Sequence, residues 1–213
     1  MRTGYARKMA TDPFAPIPLF TFPVFSSTIA GYEEHKPFLI EEILDLRRKH
    51  PGVMRSNRNT NAWHSGSEFL QNPNEHVGWL AHKMLKYTSH CVGRFHDNWA
   101  TTELQFASCW ANVLGPGGWN APHHHLPCAW SGCFYVSVGD VGKTPGDPSG
   151  LIEFINPSPS LSGIGQGGNF VQVPRDGLVF VFPSSLLHFV HPHMSDYLRI
   201  SIAFNFNVVP KKS

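Results

Sequence analysis

The sequence predicts an α+β domain that is mainly β, with its helices confined to the first half. Three observations carry this expectation. Apolar residues recur at helical spacing in two stretches before Leu104, and from there onward they form short alternating runs broken by Gly, Pro, Asn and Asp. The 213 residues are 41% hydrophobic against 15% charged, enough apolar surface for one substantial core. Residues 1–213 are therefore read as a single domain, with a helical part at 1–103 and a β core at 104–213.

The elements follow in order. The stretch "KPFLIEEILDLRRKH" (36–50) sets Phe38, Leu39, Ile43 and Leu46 at near-helical spacing, places acidic residues before basic ones and ends at Pro51-Gly52, which predicts a helix. "NEHVGWLAHKMLKYTSHC" (74–91) predicts a second, on the stripe Val77, Leu80, Met84 and Leu85. Between them 54–69 is polar and aperiodic and reads as a loop, either a solvated linker or a lid over a site. The strand candidates are "LQFASCWANVL", "AWSGCFYVSV", "GLIEFI", "NFVQVP", "GLVFVFP" and "LRISIAFNFNVV", separated by turn signals such as "PGDPSG" and "PRDG". The Gly/Ser/Pro-rich 156–168 predicts another covering loop. Six or more short strands predict a sandwich or small barrel, with the helices packed outside one sheet.

Charge excludes some partners. A net charge of +2, with Lys and Arg scattered, lacks the basic footprint of a nucleic-acid binder. No apolar run is long enough to cross a bilayer, so the expected setting is cytoplasmic and off the membrane, with a small-molecule substrate as partner and a homodimer compatible with the chain. Cys91, Cys109, Cys128 and Cys133 form no C-x-x-C pair and read as reduced thiols; Cys128, three residues after His125, is an alternative soft ligand.

The chemistry concentrates in "GGWNAPHHHLPCAWSG" (117–132). On an extended chain His123 and His125 point to one side and His124 to the other. With His188 from "FPSSLLHFVHPH", at the end of the strand that begins after "PRDG", they form a facial set of nitrogen ligands with open positions opposite. His191 and His193 are expected to be carried past that strand by an extra turn. On the last predicted strand Arg199 and Ser201 alternate with Ile200 and Ile202 and so share a face. A buried guanidinium keeps its proton and needs an anion. Glu153 is the structural candidate for that anion, and a ligand carboxylate gripped by Arg199 with help from Ser201 is the functional one.

"APHHH", then "GLIEF", then "PRDGLVFVFP" leading to His188, then "RIS", in this order and spacing, resemble the iron(II)/2-oxoglutarate-dependent oxygenases. "WANVLGPGGWNAPHHHLPCAWSGCFYVSV" and "SNRNTNAWHSG" are similar to a family of small oxygenases of this type from bacteria and phages. The resemblance implies a double-stranded β-helix (a jelly-roll, cupin-like barrel) and an oxidoreductase using Fe(II), 2-oxoglutarate and O2. Such an enzyme hydroxylates a small organic molecule and releases succinate and CO2. It also implies Fe(II) on His123, His125 and His188, with His125 where the usual motif has a carboxylate, and Arg199 and Ser201 on the distal carboxylate of 2-oxoglutarate. Asp140 and Glu153 are weaker replacements for that carboxylate. Asn112 and Asn120 are cosubstrate contacts or backbone caps, and Trp119, Trp130 and Tyr135 are substrate-pocket walls or core packing. No catalytic residue is expected apart from the metal ligands.

Two alternatives belong to other classes. A cupin-type three-histidine dioxygenase, isomerase or lyase would use Gly118 and His123-x-His125 without 2-oxoglutarate. It lacks the expected glutamate, with Cys128 and Ala129 in that region, and gives Arg199 and Ser201 no role. A binding module that kept the barrel and lost the iron is the other.

Overall fold

The computed structural model describes residues 22–53, 61–158 and 168–211. The expected covering loops fall partly outside these, at 54–60 and 159–167. The elements run β1 (Phe25–Thr28), α1 (Tyr32–Lys49), β2 (Ala62–His64), a 3-10 turn (Phe69–Gln71), α2 (Glu75–Val92), β3 (Thr102–Leu114), β4 (Gly118–His123), β5 (Trp130–Ser137), β6 (Ile152–Phe154), β7 (Phe170–Gln172), β8 (Leu178–Pro183), β9 (His188–His193) and β10 (Arg199–Pro210). Two antiparallel sheets result, of order β1-β8-β5-β10-β3-β2 and β4-β9-β6-β7. They form the double-stranded β-helix of the expectation.

Both helices were legible in the sequence, α1 beginning four residues before the predicted start. Tyr32, Leu39 and Ile43 form its buried stripe, with Glu33 and Glu34 in the first turn and Arg47, Arg48 and Lys49 in the last, matching the helix dipole. Asn74 caps α2 by accepting from the His76 N–H, and Val77, Leu80, Met84, Thr88 and Cys91 face inward.

Alternation along the long strands separates two interiors. Phe134 and Val136 of β5, Val179 and Val181 of β8, and Ile200, Ile202, Phe204 and Phe206 of β10 pack with α1 and α2 into one core. Each such side chain contributes about 1.5–3 kcal/mol by leaving water. The residues between them point the other way. Tyr135, Phe180 and Phe182 meet Ile152 and Phe154 of the small sheet in a second core.

The structure corrects the sequence reading in places. The predicted loop 54–69 contains strand β2, paired with β3 from Ala62↔Leu114 to His64↔Asn112. Strands of three or four residues, such as β1 and β2, are too short to display a period. β4 and β9 contain Pro122 and Pro192, residues that break a strand signal. His188 does not end the strand after "PRDG", because β8 stops at Pro183 and His188 opens β9. No turn follows "HFV": β9 continues to His193, which pairs with Gly118 of β4.

Candidate metal centre

β4 and β9 are antiparallel neighbours whose register sets His123 directly opposite His188. His125 stands two residues beyond the end of β4, held by its N–H donating to Ser184 O at 2.8 Å. The three ring centroids lie 4.5 to 5.1 Å apart, and one nitrogen from each ring falls within 4.8 Å of the others. Among the described residues this is the group of His, Cys, Asp and Glu side chains placed to hold a metal ion. His124 is exposed and outside it.

The donor chemistry suits a divalent metal. His123 Nδ1 donates to Ala121 O at 2.7 Å and His188 Nδ1 to Leu186 O at 2.9 Å; a carbonyl can only accept, so each ring keeps its Nε2 lone pair for a ligand. Burial lowers the pKa of all three rings. For His188 burial, then His123, lowers it to about 3, and for His125 burial, then His123 and His124, lowers it to about 3. For His123 burial outweighs the opposing hydrogen bond to Ala121. Neutral imidazoles are the state a metal needs.

A narrow inner cavity runs from these histidines to Arg199, with Asn112, Tyr135 and Ser201 along it. Arg199 is 2% exposed, as is Ser201. Its Nε donates to Gly150 O at 3.0 Å and its Nη1 to Ser201 Oγ at 3.4 Å, while Nη2 is buried with no hydrogen-bond partner. Gly150 makes this approach with φ +67° in the left-handed region, and a Cβ there would meet Val141, His193 and the Arg199 stem. Glu153 is not the partner of Arg199, because it is taken by His191 at 2.7 Å and Asn169 at 2.6 Å. The buried Tyr135 hydroxyl also has no partner, and its ring lies 5.0 Å from the Arg199 guanidinium carbon. This end of the cavity offers unmatched hydrogen-bond capacity and a positive charge, the complement of a carboxylate.

On the other side of the histidines an outer pocket of about 460 Å³ opens to solvent. Trp110, Asn120, His123 and His125 line both spaces, so the histidine cluster stands between them. A larger cavity, about 920 Å³, lies between α1 and the 3-10 turn, but it gathers no metal-binding cluster and the chemistry belongs to the smaller spaces.

The residues singled out from sequence divide clearly. His123, His125, His188, Arg199, Ser201, Asn112, Asn120 and Tyr135 converge on the inner cavity. Tyr135 thus sits beside Arg199 rather than toward the open pocket. Trp130 faces the other core: it touches Phe25 and Phe95 and donates Nε1 to His96 at 3.2 Å. Trp119 is half-buried on β4 and lines neither space. Cys128 lines the outer pocket without joining the cluster, its thiol pushed up by burial, and Asp140 and Glu153 do not join it either. His191 is half-buried against Glu153, and the buried His193 bonds Tyr197 O. Sequence reasoning missed His64, Ser108, Trp110 and Asn205 of the outer pocket. Parity was the available signal: Ser108 and Trp110 share the face of Asn112 on β3, and Asn205 that of Arg199 and Ser201 on β10.

Solved structures share this architecture. A prolyl-4-hydroxylase from Pseudomonas putida superposes with a TM-score of 0.64 at 14% identity, over 91% of this chain and 95% of that one. The α-ketoglutarate-dependent epimerase SnoN of nogalamycin biosynthesis gives 0.66 at 13% identity, over 88% and 80%. HygX from Streptomyces hygroscopicus, solved with nickel and 2-oxoglutarate bound, gives 0.57 at 12% identity, over 87% and 82%. Comparison by sequence with curated proteins finds no match. At these identities the structural likeness establishes the fold.

Three histidines with lowered pKa on one side of a cavity and, among the described residues, a buried arginine with no carboxylate partner on the other fit the oxidoreductase class of the iron(II)/2-oxoglutarate oxygenases. Residues 108–205 match the family described as "Putative 2OG-Fe(II) oxygenase", which together with the shared fold supports the iron(II)/2-oxoglutarate oxygenase superfamily. Its cofactor is Fe(II) and its cosubstrates are 2-oxoglutarate and O2. The cupin-type alternative and the metal-free binding module give way to this match. Among the described residues no helix is long and apolar enough to cross a membrane.

Proposed function

We propose that the enzyme hydroxylates a small organic molecule, with Fe(II) held by His123, His125 and His188 and the distal carboxylate of 2-oxoglutarate gripped by Arg199 and Ser201. The observation that carries this reading is the Arg199 guanidinium, buried at the inner end of the histidine-lined cavity with no carboxylate partner among the described residues. When bound, iron with 2-oxoglutarate supplies the power to activate O2, releasing succinate and CO2.

The protein's own share is binding and orientation. Ala121 and Leu186 carbonyls fix the tautomers of His123 and His188 so that Nε2 faces the centre. Gly150 O and Ser201 Oγ hold the guanidinium plane, leaving Nη2 directed to the anion. Tyr135 supplies a buried hydroxyl beside it. Asn112 and Asn120 are polar walls of the same cavity, which supports their contact with cosubstrate. The substrate enters by the outer pocket, on the far side of the histidines from Arg199.

The test is an anaerobic titration of the purified protein with Fe(II) and 2-oxoglutarate, followed by aerobic assay of succinate and product mass. A visible charge-transfer band, succinate, and a product heavier by one oxygen atom are expected. Succinate formed without 2-oxoglutarate dependence, or a product that has gained no oxygen, would overturn the reading.

A further inference from the structure

The outer pocket has a chemistry of its own. Among the described residues no Asp, Glu, Lys or Arg side chain lines it. One wall is instead backed by a row of buried hydrogen bonds. Ser131 Oγ lies 2.7 Å from Ser184 Oγ and donates to Asn205 Oδ1 at 2.7 Å; Asn205 Nδ2 donates to Ser108 Oγ at 2.9 Å. A hydroxyl carries one proton, and that of Ser131 goes to Asn205, so the contact with Ser184 has Ser184 as donor. Donation therefore runs one way, from Ser184 through Ser131 and Asn205 to Ser108. Ser131, Ser184 and Asn205 are 1%, 0% and 5% exposed, so water does not compete for the row. Ser108, last in line and on the pocket wall, accepts from Asn205 and so keeps its own proton free to donate.

Two residues along the same face, Trp110 forms a flat aromatic wall. Its ring lies 5.2 Å from that of His64 and within 12° of parallel, and 5.6 Å from that of His125. Ser67 and Asn120 add further hydrogen-bonding groups around the pocket.

We propose that this pocket takes a neutral, oxygen-rich ring, a sugar or cyclic polyol unit, as substrate, with the ring face on Trp110 and one acceptor oxygen on Ser108. The inference rests on the iron and 2-oxoglutarate reading above and names the substrate class for that site. Away from the histidines, the described walls offer no charged side chain to compensate the desolvation of a charged group. A ring presents a flat C–H face to the indole, and its hydroxyls both donate and accept, as serine and asparagine walls require. The volume suits a ring of that size. In this arrangement Ser108 determines specificity and Asn205 is a positioning residue that orients it.

The experiment measures succinate formation and product mass for the Fe(II)-loaded wild type with three probe sets: methyl glycosides and inositol, N-acetyl amino-acid amides including that of proline, and free amino and dicarboxylic acids. Ser108→Ala and Ser108→Thr are assayed with the best probe. The expected result is stimulation by a glycoside or inositol. Its KM should rise about tenfold in Ser108→Ala, the scale of one neutral hydrogen bond. Ser108→Thr, which keeps the hydroxyl, should recover most of that loss, and the KM for 2-oxoglutarate should stay within about twofold in both. If the wild type shows no charge-transfer band with Fe(II) and 2-oxoglutarate, the underlying reading fails. If the band forms but only amides or charged acids are turned over, or none of the probes is, the substrate inference alone is overturned. An unchanged KM in Ser108→Ala overturns it equally.

Discussion

Replacing Arg199 isolates the anion end of the cavity from everything else in the barrel. Arg199 is 2% exposed, and its guanidinium is held by Gly150 O at 3.0 Å and Ser201 Oγ at 3.4 Å beside the Tyr135 ring, with Nη2 unmatched. A carboxylate arriving there gains charge-assisted hydrogen bonds in a site already desolvated. Removing one partner of such a buried pair costs about 2–5 kcal/mol. At about 1.4 kcal/mol per factor of ten, the dissociation constant for 2-oxoglutarate should rise from about 30-fold to several thousand-fold. Arg199→Met is the best variant, because it keeps the stem's volume and removes only the charged head. The same substitution deletes a buried charge that has no counter-ion, so the melting temperature without ligand should hold or rise. Arg199→Lys should recover only part of the affinity, since an ammonium cannot reproduce the guanidinium fork. Anaerobic titration of the charge-transfer band gives the dissociation constant, and metal analysis shows whether iron binding survives, as it should. A dissociation constant for Arg199→Met within about threefold of wild type would refute the reasoning.

The remaining predictions concern the histidines and the core. His123→Ala and His188→Ala should each lose iron and His124→Ala should keep it, while His125→Asp should still bind, all read by metal content after desalting. Loss of metal in His124→Ala with retention in His125→Ala would reverse the assignment. Because burial lowers His125 and His188 to about 3, their rings stay neutral well below the ordinary histidine range, so metal occupancy should be flat between about pH 8 and 5 and fall only in stronger acid. For the metal-free protein the sign is fixed by the same lowering. Between about 6.5 and 3 the unfolded chain holds protons that the folded one does not, so stability is full above that window and drops as pH falls through it, by about 1.4 kcal/mol per pH unit for each group; chemical denaturation across pH checks this. Trp130→Ala should destabilise the fold by about 3–5 kcal/mol through loss of core packing against Phe25 and Phe95, with the KM for substrate unchanged in the folded fraction.

Much of the site was legible because β-strand parity is a local rule. His123 and His125, with His124 turned away, and Arg199 with Ser201 need nothing but a two-residue period to be assigned a common face, and the structure places each pair on one cavity. The helices were legible for a similar reason, since their stripes repeat over eighteen residues each. Trp130 shows where such reasoning stops. It adjoins the histidine run in sequence, yet parity puts it with Phe134 and Val136 on the helix side of β5.

What the sequence determined by itself was the class of the fold, the histidines that could share one face and the need of Arg199 for an anion. Those follow from composition, period and the chemistry of single side chains. The tertiary structure alone decided which strands meet. It set His188 opposite His123, although 64 positions separate them in sequence, by pairing β9 with β4. It committed Glu153 to His191, leaving Arg199 without a carboxylate. It also joined Ser184, Ser131, Asn205 and Ser108, contributed by the turn after β8 and by strands β5, β10 and β3, into one directed row. Register between distant strands comes from burying both faces of a sheet at once, a condition on the whole chain that no local stretch contains.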